Sequence, residues 1–323
     1  MRMVVTGGTG FLGVHVVELA VEAGHDVLVA GRQPPAAHGI ELPPGVEHLV
    51  VEEWSAEPGR GQRDLLARAS AADAVLHLAA ISRAADVEAD PARAFAVNAA
   101  WPAALAKAAR KRIFVHASTD LVLGATLPSE AGFPEDALPD PIGAYGESKA
   151  AGERAVHAAH PGAHIARLPL LFGDSRGRGQ GASDGLFAAL RRHHAGEGPA
   201  PGLFTDEWRT PLDVRAAAHA LVLLTSHLVQ AGAASSGLGA EPDFPSLIWH
   251  LGGRRLSRYE LGHALCLAAG LDPTPLRATT RAAAGLSSSR AGDASLSSDA
   301  TCARLPELAP VLAQGSAPPI PKS

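Results

Sequence analysis

A tyrosine and a lysine four residues apart form the first candidate catalytic pair, in Tyr145-Gly-Glu-Ser-Lys149. Residues with this spacing lie on one face of a helix, about 6 Å apart along its axis. An ammonium group so placed can stabilise a phenolate, and lowering a tyrosine pKa from roughly 10 to near 7 needs on the order of 4 kcal/mol. The pair is therefore a candidate acid–base group, although the same spacing also arises by chance.

A hydroxyl and a glycine-rich turn give this pair a context. Thr119 follows a predicted strand, where its hydroxyl can hydrogen-bond a substrate carbonyl from the side opposite the tyrosine. Near the N-terminus an apolar run leads into Gly7-x-x-Gly10-x-x-Gly13, and a helix is predicted over 11–23. A strand, a tight glycine turn and a helix N-terminus favour binding of a dinucleotide's pyrophosphate. The spacing differs by one residue from the commonest dinucleotide fingerprint, so a plain structural loop is the alternative.

Strands and helices alternate along the chain, which predicts a Rossmann-type α/β fold with a doubly wound parallel sheet. Ligands bind beyond the carboxyl ends of the strands in such sheets, and Ser118, Thr119 and Asp120 follow one of these ends. After a first strand at residues 3–6, further strands are predicted at 26–30, 46–51, 74–78, 112–116, 163–168 and 247–251. Helices are predicted at 61–70, 91–110 with a kink at Pro102, 145–160, 184–194, 212–228 and from the capping box at Ser257 to before Gly270.

We expect two lobes that share this sheet. Residues 1–173, joined again by 207–252, form the predicted NAD(P)-binding domain. Residues 174–206 and 253–314 form a smaller, C-terminal substrate-binding lobe. The Pro- and Ser-rich tail at 315–323 is expected to be disordered.

Charge and composition argue against several classes of partner. The net charge of −5 and the pI of about 6.3 provide no basic field for nucleic acid or an anionic membrane. The longest apolar run, 216–224, is too short to span a bilayer, and no signal sequence precedes the first strand, so we expect a cytoplasmic protein. Cys266 and Cys302 fall outside a Cys-x-x-Cys spacing, and the histidine pairs lack partners at ligand spacing, so no metal site is predicted.

These motifs occur in an order that resembles the extended short-chain dehydrogenase/reductase family over nearly the whole chain. The segment from Thr6 to Gly13 resembles its cofactor loop, His77-Leu-Ala-Ala80 its fourth-strand signature, and Asn98 its structural asparagine. The resemblance implies that Thr119 is the catalytic hydroxyl, Tyr145 the acid–base group and Lys149 the ribose-binding lysine. The cofactor-binding residues that it implies are Thr6, Gly7, Gly10, Phe11, Leu12, Gly13, Leu78, Ala79, Ala80, Asn98, Tyr145 and Lys149.

Within that family the chain is most similar to the 4-dehydrorhamnose reductase group, through Ser118-Thr-Asp-x-Val122 and the tyrosine–lysine segment. The related 4,6-dehydratases carry a glutamate where this chain has Leu121, so dehydration is not expected. A longer second strand and Arg215-Ala216 in place of Asp-Asp depart from the reductase pattern. The resemblance implies a nucleotide-linked or similar sugar as substrate, and a homodimer through the helices at 91–110 and 145–160. The substrate-binding residues that it implies are Ser118, Asp120, Arg209 and Arg290.

The end of the second strand bears on the choice of cofactor. NAD enzymes usually have an acid there for the ribose hydroxyls, whereas this chain has Gly31-Arg32. An arginine suits the extra phosphate of NADP, so we favour NADP over NAD; the alternative for Arg32 is a solvated surface side chain. The sequence thus predicts an NAD(P)-dependent oxidoreductase acting on a keto group of a sugar. A nucleotide-sugar epimerase with tightly held NAD and a non-catalytic NAD(P)-binding regulatory subunit are the alternatives.

Overall fold

A seven-stranded parallel sheet forms the centre of the protein, in the strand order β11-β6-β5-β4-β1-β2-β3. The computed structural model describes residues 1–51, 58–128, 130–176, 181–234, 244–286 and 289–317. The strands are β1 (Arg2–Thr6), β2 (Asp26–Gly31), β3 (Glu47–Val50), β4 (Ala74–His77), β5 (Ile113–Thr119), β6 (His164–Leu168), β7 (Leu171–Phe172), β8 (Gly202–Phe204), β9 (Trp208–Arg209), β10 (Leu212–Asp213), β11 (Ile248–His250), β12 (Leu256–Ser257) and β13 (Arg277–Thr279). The predicted Rossmann-type α/β fold is confirmed, because every strand of the central sheet coincides with a predicted one.

Helices cover both faces of this sheet. On one face α1 and α8 contribute Val16 and Leu221 to a core with β1 and β2. On the other face α2, α5 and α6 contribute Leu65, Leu105 and Val156. The helices are α1 (Phe11–Glu22), α2 (Arg60–Ala71), α3 (Ala84–Ala89), α4 (Pro91–Phe95), α5 (Trp101–Ala108), α6 (Ala144–Ala159), α7 (Ala182–His194), α8 (Val214–Ala234), α9 (Arg258–Ala268), α10 (Asp299–Arg304) and α11 (Leu308–Gln314).

The helix predicted over 91–110 is interrupted one turn before Pro102. A π-helical turn, Ala96–Ala100, separates α4 from α5. Proline has no N–H, so Pro102 cannot bond the carbonyl of Asn98, and the helix widens there instead of kinking at the proline itself. The freed carbonyl faces α6, where a Cβ at Gly152 would overlap it. This glycine therefore lets α6 approach the π-helical turn closely.

A smaller apolar cluster lies beyond the sheet, built from α7, α9 and short strands that the sequence did not reveal. Leu186, Leu190, Leu261 and Leu265 belong to it. Strand β13 pairs with β8 in parallel, and β12 pairs with β9 antiparallel. The division into two lobes stays a prediction, and this cluster is the apolar core that the smaller lobe would have.

Helix α11 falls within residues 253–314, which were assigned to the substrate-binding lobe, but it packs on the sheet-facing core instead. Leu308 and Leu312 of α11 lie in the sheet-facing core with α8, not in the smaller cluster. Residues 315–317 also belong to the packed structure, because Ser316 Oγ accepts from Arg254 N and Ala317 is buried. They are not part of a disordered tail, and 318–323 lie outside the described residues.

Further sequence predictions concern membranes, thiols and loops. None of the helices in the described part of the chain is long and apolar enough to cross a bilayer. Cys266 and Cys302 are free thiols. Helix α8 extends to Ala234, past its predicted end, into the predicted surface loop at 231–246; residues 235–243 of that loop lie outside the described residues.

Candidate active site

The turn between β1 and α1 is closed by backbone contacts that only glycine permits. Gly7 has a left-handed φ of 71°, and a Cβ there would lie 2.9 Å from Ala79 N. A Cβ at Gly13 would overlap the carbonyl oxygen of Gly7. The turn therefore packs directly on the start of α1 and on the segment after β4, the arrangement expected of a dinucleotide-binding loop. Leu78 and Ala79 lie against Gly7, and Leu78, Ala79 and Ala80 are partly exposed.

Amide groups at the start of α1 are available to an anion. The first α-helical bond of α1 runs from Val14 N to Gly10 O at 3.2 Å, so the amides of Phe11, Leu12 and Gly13 have no carbonyl partner within the helix. Gly10, at the N-cap, has no side chain that could cap them. These amides could hold a pyrophosphate, and the helix dipole favours its negative charge. The residues present therefore fit a dinucleotide cofactor.

Thr6 and Asn98, both predicted to bind the cofactor, use their side chains within the protein. The Thr6 hydroxyl is fully buried, 2.7 Å from His77 Nδ1, and it accepts from Ala79 N. The Asn98 amide bonds both backbone groups of Ile81 and donates to Ser148 Oγ, each at 2.9 Å. The structure thus places these two residues beneath and beside the site, where their side chains bond to the protein around it.

The three predicted catalytic residues lie at the carboxyl edge of the sheet. Thr119 ends β5, and Tyr145 lies in the first turn of α6, close enough for the Thr119 side chain to oppose the rise in its pKa. Lys149 lies one turn further along α6, where its Nζ donates to Ala117 O at 2.7 Å and contacts His116 Nε2 at 3.2 Å. Threonine and tyrosine can therefore bind one carbonyl oxygen together, with the ammonium behind them.

The acidity of this pair differs from the prediction. Burial raises the pKa of Tyr145, the charge of Asp120 raises it further, and the hydrogen bond with Thr119 opposes them. Burial lowers the pKa of Lys149 to about 8, with the charge of Glu153 opposing. The prediction that the lysine lowers the tyrosine pKa is therefore not met in the protein alone. Tyr145 is a neutral phenol at physiological pH, which is the form that donates a proton.

Asp120 lies beside the pair as a buried carboxyl group. Its Oδ1 accepts from the Thr119 hydroxyl at 3.1 Å, and its Oδ2 is 3.5 Å from Arg209 Nε. Oδ2 has no hydrogen-bond partner among the described residues. Burial raises the pKa of Asp120 to about 6, against the opposing charge of Arg209. This carboxyl group is therefore close to the candidate catalytic residues and has a pKa of about 6.

Three arginines meet at Glu207, which is 2% exposed. Arg290 donates to it from Nε at 2.8 Å and from a terminal nitrogen at 3.0 Å, whereas Arg209 is 3.6 Å and Arg258 is 3.9 Å away. Burial alone would raise the pKa of Glu207, but the arginines together hold it below its usual value. The structure thus joins the predicted Arg209 and Arg290 in one basic cluster beside Asp120.

The sequence prediction missed Glu207 and Arg258. A local signal existed for each, because Glu207 directly precedes Trp208-Arg-Thr-Pro and Arg258 opens the capping-box helix. The capping box itself is present, with Glu260 N donating to Ser257 Oγ and Ser257 N donating to the Glu260 carboxylate. What the sequence lacked was the pairing of these distant segments.

Ser118, predicted to bind substrate, lies on the opposite face of β5 from Thr119. Its hydroxyl donates to Glu153 at 2.5 Å. Glu153 in turn forms an ion pair with Arg167 at 2.9 Å, and each side chain is 1% exposed. Successive strand residues point to opposite faces, so Ser118 belongs to a buried network under α6 and not to the substrate site.

A basic side chain follows the end of β2, as predicted for an NADP enzyme. Gly31 ends the strand, and a Cβ there would lie 3.4 Å from both His48 Nε2 and Thr9 Oγ1. Arg32 follows with an exposed side chain. No acid occupies the strand end, so an exposed cation stands where NAD enzymes usually place a carboxylate.

Comparison with known proteins identifies the family. Residues 1–308 match the model for the RmlD substrate binding domain. The dTDP-4-dehydrorhamnose reductase of Mycolicibacterium smegmatis is 29% identical over 281 residues, covering 85% of this chain and 72% of that protein. Methionine adenosyltransferase 2 subunit beta of Xenopus tropicalis is 27% identical over 283 residues, covering 86% and 75%.

Solved structures show the same fold. The dTDP-4-dehydrorhamnose reductase of Bacillus anthracis in complex with NADP aligns with a TM-score of 0.66 and 18% identity, over 94% of this chain and 92% of that one. A hypothetical dTDP-4-dehydrorhamnose reductase of Sulfolobus tokodaii aligns with a TM-score of 0.69 and 23% identity, over 94% and 95%. The resemblance seen in the motifs is thus confirmed over nearly the whole length, and the chain belongs to the RmlD substrate binding domain family.

Proposed function

We propose that this protein is an NAD(P)-dependent oxidoreductase that reduces a keto group on a nucleotide-linked or similar sugar. The observation that carries the proposal is the Thr119–Tyr145 contact, with Lys149 one turn away at the sheet edge that also carries the glycine turn. Relatives named dTDP-4-dehydrorhamnose reductase support it, as does one structural neighbour described with NADP.

The geometry suits reduction more directly than it suits any step that needs a phenolate. A bound NAD(P)H would supply hydride to the carbonyl carbon. The hydroxyls of Thr119 and Tyr145 would hold the carbonyl oxygen, and Tyr145 would donate its proton as the oxygen becomes an alcohol. Lys149 uses two of its three N–H groups within the protein, which leaves one for a cofactor ribose, while its charge favours the phenolate that forms.

The basic cluster at Glu207 supports an anionic substrate. Arg209, Arg258 and Arg290 carry one more charge than Glu207 and Asp120 together can neutralise. Guanidinium groups bind phosphate oxygens with two parallel hydrogen bonds, and the Arg290 side chain is 44% exposed. A sugar carrying a nucleotide diphosphate would place its charge there and its keto group near Tyr145.

Arg32 supports NADP as the preferred cofactor, with NAD as the second choice. Its exposed guanidinium follows Gly31 at the carboxyl end of β2, where a 2′-phosphate would lie. The amides of 11–13 would hold the pyrophosphate, as their position before the first helical bond allows.

Two other functions remain candidates for specific reasons. A non-catalytic NAD(P)-binding subunit is favoured by the 27% identity to methionine adenosyltransferase 2 subunit beta. An epimerase with tightly held NAD would use the same Thr119, Tyr145 and Lys149. The neutral phenol of Tyr145 supports the reductase over the epimerase, since a reductase needs a proton donor and an epimerase starts by removing a proton.

The test is NADPH and NADH oxidation with a panel of 4-keto nucleotide sugars, using Tyr145→Phe as the matched control. We expect the wild type to consume NADPH and the variant to lose about a hundredfold or more in kcat while still binding NADPH, because it lacks the proton donor. Equal inertness of both proteins, with cofactor bound, would support the regulatory subunit. Conversion of a sugar without net consumption of NAD(P)H would support the epimerase.

A cytoplasmic location and a homodimer belong to the same proposal. The dimer would form through the helices at 91–110 and 145–160. Phe95, 38% exposed on α4, gives that surface an apolar contact point. Sedimentation velocity should give the mass of a dimer for the wild type and of a monomer for Phe95→Glu; a wild-type monomer would contradict it.

A further inference from the structure

Two histidines interrupt the apolar face of the sheet beneath α6. In the strand register Thr6 lies opposite His77, and His77 opposite His116. The same row continues with Ala30 on one side and Ile165 on the other, both in the apolar core. Both imidazoles are fully buried. Burying polar rings is unfavourable unless they form hydrogen bonds, so apolar packing does not account for them.

His116 is in contact with the candidate catalytic lysine. Its Nε2 is 3.2 Å from Lys149 Nζ, and that ammonium also donates to Ala117 O at 2.7 Å. A protonated lysine can only donate, so Nε2 is the acceptor whenever Lys149 is charged. The ring is then neutral, and its proton is on Nδ1.

His77 fixes the plane of the His116 ring. The two ring centroids are 5.3 Å apart with 17° between the planes. The Nδ1 of His77 is hydrogen-bonded to Thr6, the residue before the glycine turn. A continuous column of buried side chains therefore runs from the floor of the glycine turn to Lys149.

The charge state of Lys149 depends on the groups that surround it. Burial and the lysine charge hold the pKa of His116 well below its usual value and lower that of His77 to about 3. Both rings are thus neutral in the working range. Burial lowers the pKa of Lys149 to about 8, and the carboxylate of Glu153 on the same helix opposes that change. Tyr145 lies one turn earlier on α6.

We propose that His116 is a positioning residue for Lys149: its Nε2 accepts from the ammonium, holds it in the charged form and leaves one N–H for the cofactor. This inference rests on the proposed function, in which Lys149 binds the cofactor ribose. An acceptor for a charged donor favours the charged form, so its loss should make the lysine more acidic. A histidine that only filled space would have no such effect.

Two substitutions separate these roles. His116→Phe keeps the ring size and removes the acceptor, whereas His116→Gln provides a new acceptor near the position of Nε2. We measure the NADPH dissociation constant against pH by cofactor fluorescence. For wild type, NADPH affinity should weaken as Lys149 loses its proton near pH 8, and we call this loss of affinity with rising pH the alkaline limb. His116→Phe should move the alkaline limb about one pH unit towards acid. His116→Gln should restore most of the shift.

His160→Phe is the matched control. His160 is also buried and next to α6, but its Nε2 contacts the backbone oxygen of Arg112 at 3.0 Å, away from the site. It should lower stability without moving the alkaline limb. If His116→Phe leaves the limb where His160→Phe does, or if His116→Gln shifts it as far as His116→Phe, the proposal is overturned.

A second measurement needs neither a variant nor the cofactor. Nitrogen-15 NMR of histidine side chains in the wild-type protein reports which ring nitrogen of His116 carries the proton. A proton on Nδ1 supports the contact with Lys149, and a proton on Nε2 refutes it. If NADPH does not bind, the proposed cofactor is wrong, but the NMR result still shows whether His116 Nε2 accepts from Lys149.

Discussion

Asp120 is a buried carboxyl group whose ionisation destabilises the fold, and its replacement by asparagine measures that effect. It is 3% exposed, and its nearest cation, Arg209, is 3.5 Å away, outside good hydrogen-bonding distance. Burial raises its pKa from 3.8 to about 6, with Arg209 opposing. Asparagine has nearly the same shape, can still accept from Thr119, and cannot ionise.

The size and sign of the effect follow from these two pKa values. A difference of roughly 2 between the folded and unfolded states corresponds to about 3 kcal/mol. Below pH 3.8 the carboxyl group is protonated in both states, so it does not favour unfolding. As the pH rises, the unfolded state releases the proton first, and stability is lost until the folded group ionises near pH 6. Asp120→Asn should therefore gain about 2 kcal/mol relative to wild type between pH 4 and pH 7, because part of the full effect is already present at pH 4.

Urea unfolding followed by circular dichroism at both pH values tests this expectation. The exposed Asp136→Asn serves as the matched control for loss of a carboxylate at the surface. If the difference between Asp120→Asn and wild type is the same at pH 4 and pH 7, the carboxyl group does not titrate as described. If Asp120→Asn lost stability relative to wild type as the pH rises, the sign would be reversed and the reasoning refuted.

Three further substitutions test the cofactor site and the core. Gly13→Ala should weaken NADPH binding at least about tenfold in a fluorescence titration, because its Cβ would overlap Gly7 O; wild-type affinity would contradict the packing. Arg32→Ala should weaken NADPH binding by about tenfold and leave NADH binding nearly unchanged; equal losses would refute the preference for NADP. Glu153→Gln should lower the free energy of unfolding by about 3–5 kcal/mol, since Arg167 stays buried without its counter-ion, and a loss under about 1 kcal/mol would contradict this.

The parts that could be predicted from sequence are those that depend on neighbours in the chain. Apolar runs set the strands of the sheet, and the glycines at 7, 10 and 13 marked the turn because strand, turn and helix are consecutive. The same holds for the capping box at Ser257. The position of Ser118, which was wrongly expected to bind substrate, also follows a local rule, because Ser118 alternates with Thr119 along β5 and so faces Glu153.

The parts that could not be predicted depend on contacts between distant segments. Arg290 reaches Glu207 across 83 residues of sequence. His116 gains its partner Lys149 only once β5 lies against α6, across 33 residues. The acidity of Tyr145 depends on burial, which spacing does not specify, so the rise of its pKa in the protein without cofactor could not be predicted from the spacing of Tyr145 and Lys149.

The energetics of the carboxyl edge support a site there independently of any motif. Asp120 Oδ2, His77 Nε2 and His116 Nδ1 are buried without a hydrogen-bond partner in the described part of the chain. Each would be replaced by an apolar or better-paired group if stability alone decided the sequence. The three lie around Thr119, Lys149 and the glycine turn, whereas the surrounding row of the sheet is alanine and isoleucine. Unpaired buried atoms also occur elsewhere, at His157 Nδ1, His263 Nδ1 and Ser295 Oγ, so it is the coincidence of the first three with Thr119 and Lys149, and not their presence alone, that agrees with a site at this edge.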